Sequence, residues 1–100
     1  MTKYQLERVR QILEHYGEAS QYDIFVEECA EAIQAVQKIK RSKPDNMSSE
    51  LLELRTNLAE EVADVLITAN QMRMCIGESV VDMAIDIKLD RQFERMKEEK

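Results

Sequence analysis

The chain has 100 residues with two Gly, one Pro, 44% hydrophobic residues and a formal net charge of -6, a balance that predicts one compact helical domain spanning 1–100. Its acidity excludes a general nucleic-acid binder, whose affinity comes from clustered Lys and Arg, and no apolar stretch approaches membrane-spanning length. Sustained period-two alternation is missing, as is any Asn-Gly or Asp-Gly turn between apolar runs, so the fold class expected is all-α.

The first helix is expected over Lys3 to Tyr16, with Leu6, Val9, Ile12 and Leu13 as its apolar stripe and Gly17 as its stop. Ser20 followed by Asp23 resembles a capping box that opens a second helix, whose apolar pattern runs from Ile24 to Ile39 and continues to Arg41. Ser42 to Met47, with Pro44, Asp45 and Asn46, reads as a loop. The third helix is expected from between Asn46 and Ser49 to about Arg73, roughly 39 Å at 1.5 Å per residue. Gly77 interrupts the pattern, Ser79 with Asp82 repeats the capping signature, and a fourth helix follows through Val80, Met83, Ile87 and Phe93 into a charged tail.

Cys29 and Cys75 lack metal-type spacing and read as buried or free thiols of a reducing compartment. Met1 to Tyr16 lacks the uninterrupted apolar core of a signal peptide, so a soluble cytoplasmic protein is expected. A chain this short folds marginally alone, which makes a partner subunit plausible.

Two acidic motifs stand out, Glu27-Glu28-Cys29-Ala30-Glu31 and Glu60-Glu61-Val62-Ala63-Asp64. Residues i and i+3 are neighbours on a helix surface, so Glu28 with Glu31, and Glu61 with Asp64, can each aim two carboxylates at one point. On the second helix, Ile24, Phe25, Cys29, Ala32, Ile33, Ala35, Val36 and Ile39 share an arc that contains Glu28 and has Glu31 at its edge, with Glu27 beyond it. Glu61 borders Leu54, Val65 and Met72 on the third helix. A carboxylate inside an apolar stripe calls for a cation, a proton or a basic partner. The plainer reading is that these acids solvate helix surfaces. Two such helices side by side would make a four-carboxylate cage, and a small anionic substrate would need a divalent cation to bridge its phosphates to it.

Glu27-Glu28-x-x-Glu31 followed by Glu61-x-x-Asp64 resembles the paired signature of MazG-like nucleotide pyrophosphohydrolases, in the all-α NTP pyrophosphatase superfamily; the likeness covers roughly Ser20 to Met96. The resemblance implies a four-helix domain assembled into an oligomeric bundle, a homodimer or dimer of dimers. It implies that Glu28, Glu31, Glu61 and Asp64 hold Mg²⁺, with Mn²⁺ as a substitute, and that the ion binds the triphosphate of a nucleotide. Lys88-Leu89-Asp90-Arg91-Gln92-Phe93 resembles the family's Lys-Phe-x-Arg-Arg-Phe segment, with departures at Leu89 and Gln92, and supplies Lys88 and Arg91 as phosphate contacts. Tyr16-Gly17 and Gln21 resemble the approach to the first motif in short members, where this region helps enclose the base.

Tyr16, Tyr22 and Phe25 are the aromatic candidates against a base, Phe25 fitting a core role better. His15 reads as a surface residue near a helix end. Lys38, two turns past Glu31, either reaches a phosphate or offsets the acidic cluster, and Lys40, Arg41 and Lys43 read as a solvated basic run.

The activity implied is hydrolysis of a nucleoside triphosphate between its α and β phosphates, with Glu27 or Glu31 accepting the proton of the attacking water. Two alternatives stand beside it. Phosphoribosyl-ATP pyrophosphohydrolase shares the paired acids, but its Lys-rich, Gly-containing lead and its Tyr-His following the second motif are missing. A non-catalytic helical association module would use the acids only for solubility. The third helix's apolar arc, through Leu51, Leu54, Leu58, Val62, Val65, Leu66, Ala69 and Met72, spans roughly 120° at the helical step. Its continuous apolar length predicts a homo-oligomer with this helix near the seam.

Overall fold

The computed structural model describes residues 1–42 and 48–99, which form four helices and no strand: α1 (Lys3–Tyr16), α2 (Glu18–Ser42), α3 (Ser49–Ile76) and α4 (Glu78–Glu98). The all-α, four-helix expectation therefore holds. Of the loop expected at Ser42 to Met47, Ser42 belongs to α2 and the rest lies outside the described residues.

Local chemistry sets most boundaries. Thr2 caps α1 with a reciprocal pair, its Oγ1 accepting from the Gln5 N–H at 3.0 Å while its own N–H donates to Gln5 Oε1 at 2.8 Å, so two otherwise unpaired donors are satisfied. Ser48 caps α3 by accepting from the Leu51 N–H at 3.1 Å. Gly17 (φ 90°) and Gly77 (φ 129°) lie in backbone regions that a side chain disfavours, and each ends one helix and starts the next within a single residue.

That economy corrects two sequence expectations. Neither Ser20 nor Ser79 caps a helix, because α2 begins at Glu18 and α4 at Glu78, directly after the glycines. Asp82 serves a different purpose. Its two carboxylate oxygens accept from Arg73 Nε and a terminal guanidinium nitrogen at 2.7 and 2.8 Å, while Glu78 pairs with Arg73 at 3.4 Å and with Arg10 at 2.6 Å. This cluster fixes the angle at which α4 leaves Gly77.

Arg73 holds the Asp82 carboxyl below its ordinary value. The stabilisation is thus present at neutral pH and lost as pH falls through that lowered value. Asp82→Asn is expected to melt slightly below the parent at pH 7, with the gap closing in acid; a constant gap from pH 7 to pH 2 would show that the pair contributes nothing.

The main packing is α2 on α3, with α1 laid against both, whereas α4 packs against α3 and meets α1 through the Arg10–Glu78 pair at its start. The interior is thin: among the described residues Val9, Ala35 and Met72 are the buried apolar side chains. From Asp82 onward every described residue of α4 is exposed, including Met83, Ile87, Leu89, Phe93 and Met96. The radius of gyration, 16.9 Å, exceeds the roughly 13 Å of a compact chain of about 100 residues. The chain by itself is therefore more extended than the compact shape expected from composition. Among the described residues no helix is long and apolar enough to cross a membrane.

Candidate functional site

The facing surfaces of α2 and α3 carry polar stripes of matching period. On α2, Gln21, Ile24, Glu28 and Glu31 recur at spacings of three and four, and on α3 Glu61, Asp64, Thr68 and Gln71 do the same. The helices run antiparallel, so Glu31 meets Glu61, Glu28 meets Asp64, and Gln21 shares a cleft with Gln71.

Glu28, Glu31 and Glu61 each offer a carboxylate oxygen within 4.8 Å of the others. Glu28 and Glu61 are half-buried and Glu31 is exposed, so the cluster opens to solvent on Glu31's side. Burial raises the Glu28 carboxyl above its ordinary value, and the charges of Asp64, Glu31 and Glu61 push it further in the same direction. Burial is also the main cause of the rise at Glu61, followed by Glu31, Asp64 and Glu60. Protein groups leave the inner oxygens unanswered: Oε2 of Glu28 and Oε2 of Glu61 are buried without a hydrogen-bond partner. An all-oxygen, anionic donor set with two such atoms fits a hard divalent cation such as Mg²⁺ or Mn²⁺, and neither cysteine belongs to it.

Beside the carboxylates lies a cleft of about 170 Å³, walled by Ile12 of α1, Gln21, Ile24 and Glu28 of α2, and Asp64, Ile67, Thr68 and Gln71 of α3. Gln71 is completely buried, and both its Oε1 and its Nε2 lack a partner. Leaving a buried polar group unpaired costs roughly 1–3 kcal/mol. Thr68 does not relieve it, since its hydroxyl turns back on its own helix, donating to the carbonyls of Asp64 at 2.9 Å and Val65 at 3.2 Å. Ile12, Gln21 and Ile24 also wall an adjoining groove of about 300 Å³ that Tyr16 borders.

The residues expected at the site divide into two groups. Glu28, Glu31, Glu61 and Asp64 come together, and Gln21 and Tyr16 border the adjacent hollows. Glu27 and Lys38 are exposed on α2, and Lys88 and Arg91 are exposed on the unpacked stretch of α4; none of these four walls the cleft. Phe25 is half-buried, Tyr22 donates its hydroxyl to Glu18 at 2.7 Å, and the exposed His15 stacks edge-on against Tyr16 at 4.6 Å.

Sequence alone leaves Gln71 and Thr68 unmarked among the cleft residues. The signal existed: they continue the Glu61–Asp64 stripe at the next two helical spacings. Comparison with protein-family models, with curated proteins and with solved structures gives no match.

Proposed function

We propose that the protein is a Mg²⁺-dependent nucleoside triphosphate pyrophosphohydrolase of the MazG-like kind, giving a nucleoside monophosphate and pyrophosphate. The supporting observation is the convergence of Glu28, Glu31 and Glu61 within 4.8 Å, two of them with unanswered buried oxygens, on helices that also carry Asp64. Bound there, Mg²⁺ supplies charge neutralisation of the triphosphate and orientation and activation of water.

The chain's own residues supply the rest. Water adds across the α–β anhydride, and Glu27, exposed next to the cluster, or Glu31 at its open rim, accepts the water proton. Lys38, two turns past Glu31 on α2, would offset charge on departing pyrophosphate, while Gln21 and Tyr16 would border the base. Pyrophosphate release from a panel of ribo- and deoxyribonucleoside triphosphates, with and without a chelator, tests the reading. Chelator-sensitive release supports it; no release from any member favours a non-catalytic association module, the reading to which the bare apolar length of α4 lends support.

The proposal includes a homodimer or a dimer of dimers. A second copy would cover α4's apolar face together with the exposed Leu52, Val62 and Leu66 of α3. It is also the route by which Lys88 and Arg91 reach a cluster from which their own α4 stands apart. Leu58 and Val65 are half-buried within the subunit, so an Asp there disturbs folding as well as assembly. Ile87, 54% exposed, separates the two effects. Ile87→Asp is expected to leave helical content unchanged and shift sedimentation equilibrium at micromolar concentration toward 11.7 kDa, whereas a parent already sedimenting at that mass would refute the assembly.

A further inference from the structure

We propose that the outer face of α2 is a seam at which two copies of the chain pair antiparallel about a two-fold axis at Cys29, a contact separate from the one that covers α4. The inference stands on α2 alone and does not depend on the pyrophosphohydrolase reading.

Tyr22, Val26, Cys29, Ile33 and Val36 follow one another at spacings of four, three, four and three. That is the heptad step, which keeps an apolar line along one side of a helix. The line runs for about 21 Å at 1.5 Å per residue, roughly 130° around α2 from Gln21, Ile24 and Glu28, which wall the cleft with α3. The subunit leaves it bare: Val26 is 68% exposed, Ile33 61%, Tyr22 43% and Val36 41%. On α3, the exposed Leu52, Val62 and Leu66 lie roughly 170° around from Asp64, Thr68 and Gln71. They are therefore on the opposite side of the α2–α3 layer, and a contact that covers them and α4 is distinct from one on α2. Two such contacts on opposite sides build a dimer of dimers.

What covers the α2 line is a second copy of it, because the line and its charges are self-complementary. Reversed end for end about Cys29, Tyr22 meets Val36 of the second copy and Val26 meets Ile33. The helix carries Glu18 in its first turn and Lys40 in its last, both exposed. Neither forms an ion pair with another described residue. Antiparallel pairing sets each Glu18 level with the other copy's Lys40, whereas parallel pairing would set Glu18 on Glu18 and Lys40 on Lys40. The seam faces away from Glu28 and Glu31, so pairing leaves the carboxylate cluster open.

Cross-linking of the whole protein tests the contact, since Cys29 is half-buried at the centre of the line. With Cys75→Ser in place, a short bifunctional maleimide at micromolar protein is expected to join two copies at twice 11.7 kDa. The control carries Cys29→Ser, Cys75→Ser and Gln34→Cys, which puts the thiol at an exposed position off the line. Its yield should be at least about tenfold lower, the mark of association rather than random collision. Equal yields would overturn the inference, as they would if α4 of a second copy occupied the line and covered Cys29.

Orientation is read by mixing two chains that lack both native cysteines, one with Val26→Cys and the other with Ile33→Cys. The mixed dimer is expected to exceed both like-with-like dimers by mass spectrometry, and the reverse would overturn the two-fold at Cys29. Ile33→Asp should keep the helical content and lower the Cys29 cross-link at least about tenfold, because a charge buried without a partner is costly. Undiminished cross-linking in that folded variant would also overturn the seam. A Cys29 cross-link in a protein that releases no pyrophosphate would support the seam while removing the hydrolase reading.

Discussion

Glu28→Gln and Asp64→Asn are each expected to abolish measurable Mg²⁺ binding by calorimetry and to lower pyrophosphate release by at least about a hundredfold, the upper range for loss of a partner one shell further out. The effect should be that large because Glu28 is central to the cluster, adjoining Asp64 as well as Glu31 and Glu61, with an inner oxygen that nothing else satisfies. Gln and Asn preserve shape, so circular dichroism should match the parent. Removing a charge from crowded carboxylates also relieves repulsion, and both metal-free variants are expected to melt at or above the parent temperature. Glu60→Gln is the control: Glu60 is exposed and outside the three-carboxylate cluster. Parental Mg²⁺ affinity in Glu28→Gln would remove the metal assignment.

The pairing of those carboxylates was legible in the sequence because charge within an apolar stripe is conspicuous at helical spacing. Gln71 follows the same spacing yet is inconspicuous in sequence, since an uncharged amide in a stripe containing Ile67 and Met72 resembles ordinary filler and only the fold shows it buried and unpaired. The four helices were legible from periodicity and from Gly17 and Gly77. The serine-led capping patterns put their starts three residues late at α2 and two late at α4, where glycines reverse the chain unaided. Asp82 looked like a cap and is instead a partner of Arg73, a tertiary contact that local spacing does not encode. The splay of α4 was equally hidden: its apolar residues look like core until the structure shows which neighbours they lack.

Without metal, the protein is expected to lose stability as pH rises above the ordinary carboxylate value of 4.5, opposite in slope to the contribution of Asp82. The sign follows from Glu28 and Glu61, whose carboxyls titrate above the ordinary value of 4.5 in the folded chain. The folded state therefore binds protons that the unfolded chain has released, so their contribution is present in acid and is lost as pH climbs through the raised values. Mg²⁺ is expected to reverse this slope, since a divalent cation binds deprotonated carboxylates.

At a concentration a hundredfold above its dissociation constant, a ligand selective for the folded state adds about 2.7 kcal/mol, or roughly 10–20 °C for a domain near this size. Thermal scans at fixed protein concentration, across pH and with or without Mg²⁺, check both signs. Glu28→Gln combined with Glu61→Gln should flatten the metal-free slope. An unaltered slope in that double variant would place the titrating groups elsewhere.

Phosphorus NMR of a mixture of nucleoside triphosphates incubated with the protein is the most direct measurement of the proposed activity. With Mg²⁺ present, the expected spectrum loses α, β and γ resonances together and gains those of a nucleoside monophosphate and pyrophosphate, while the chelated sample and Glu28→Gln stay unchanged. Orthophosphate with nucleoside diphosphate, or triphosphates that remain intact in every sample, would contradict an α–β pyrophosphohydrolase built on Glu28, Glu31, Glu61 and Asp64.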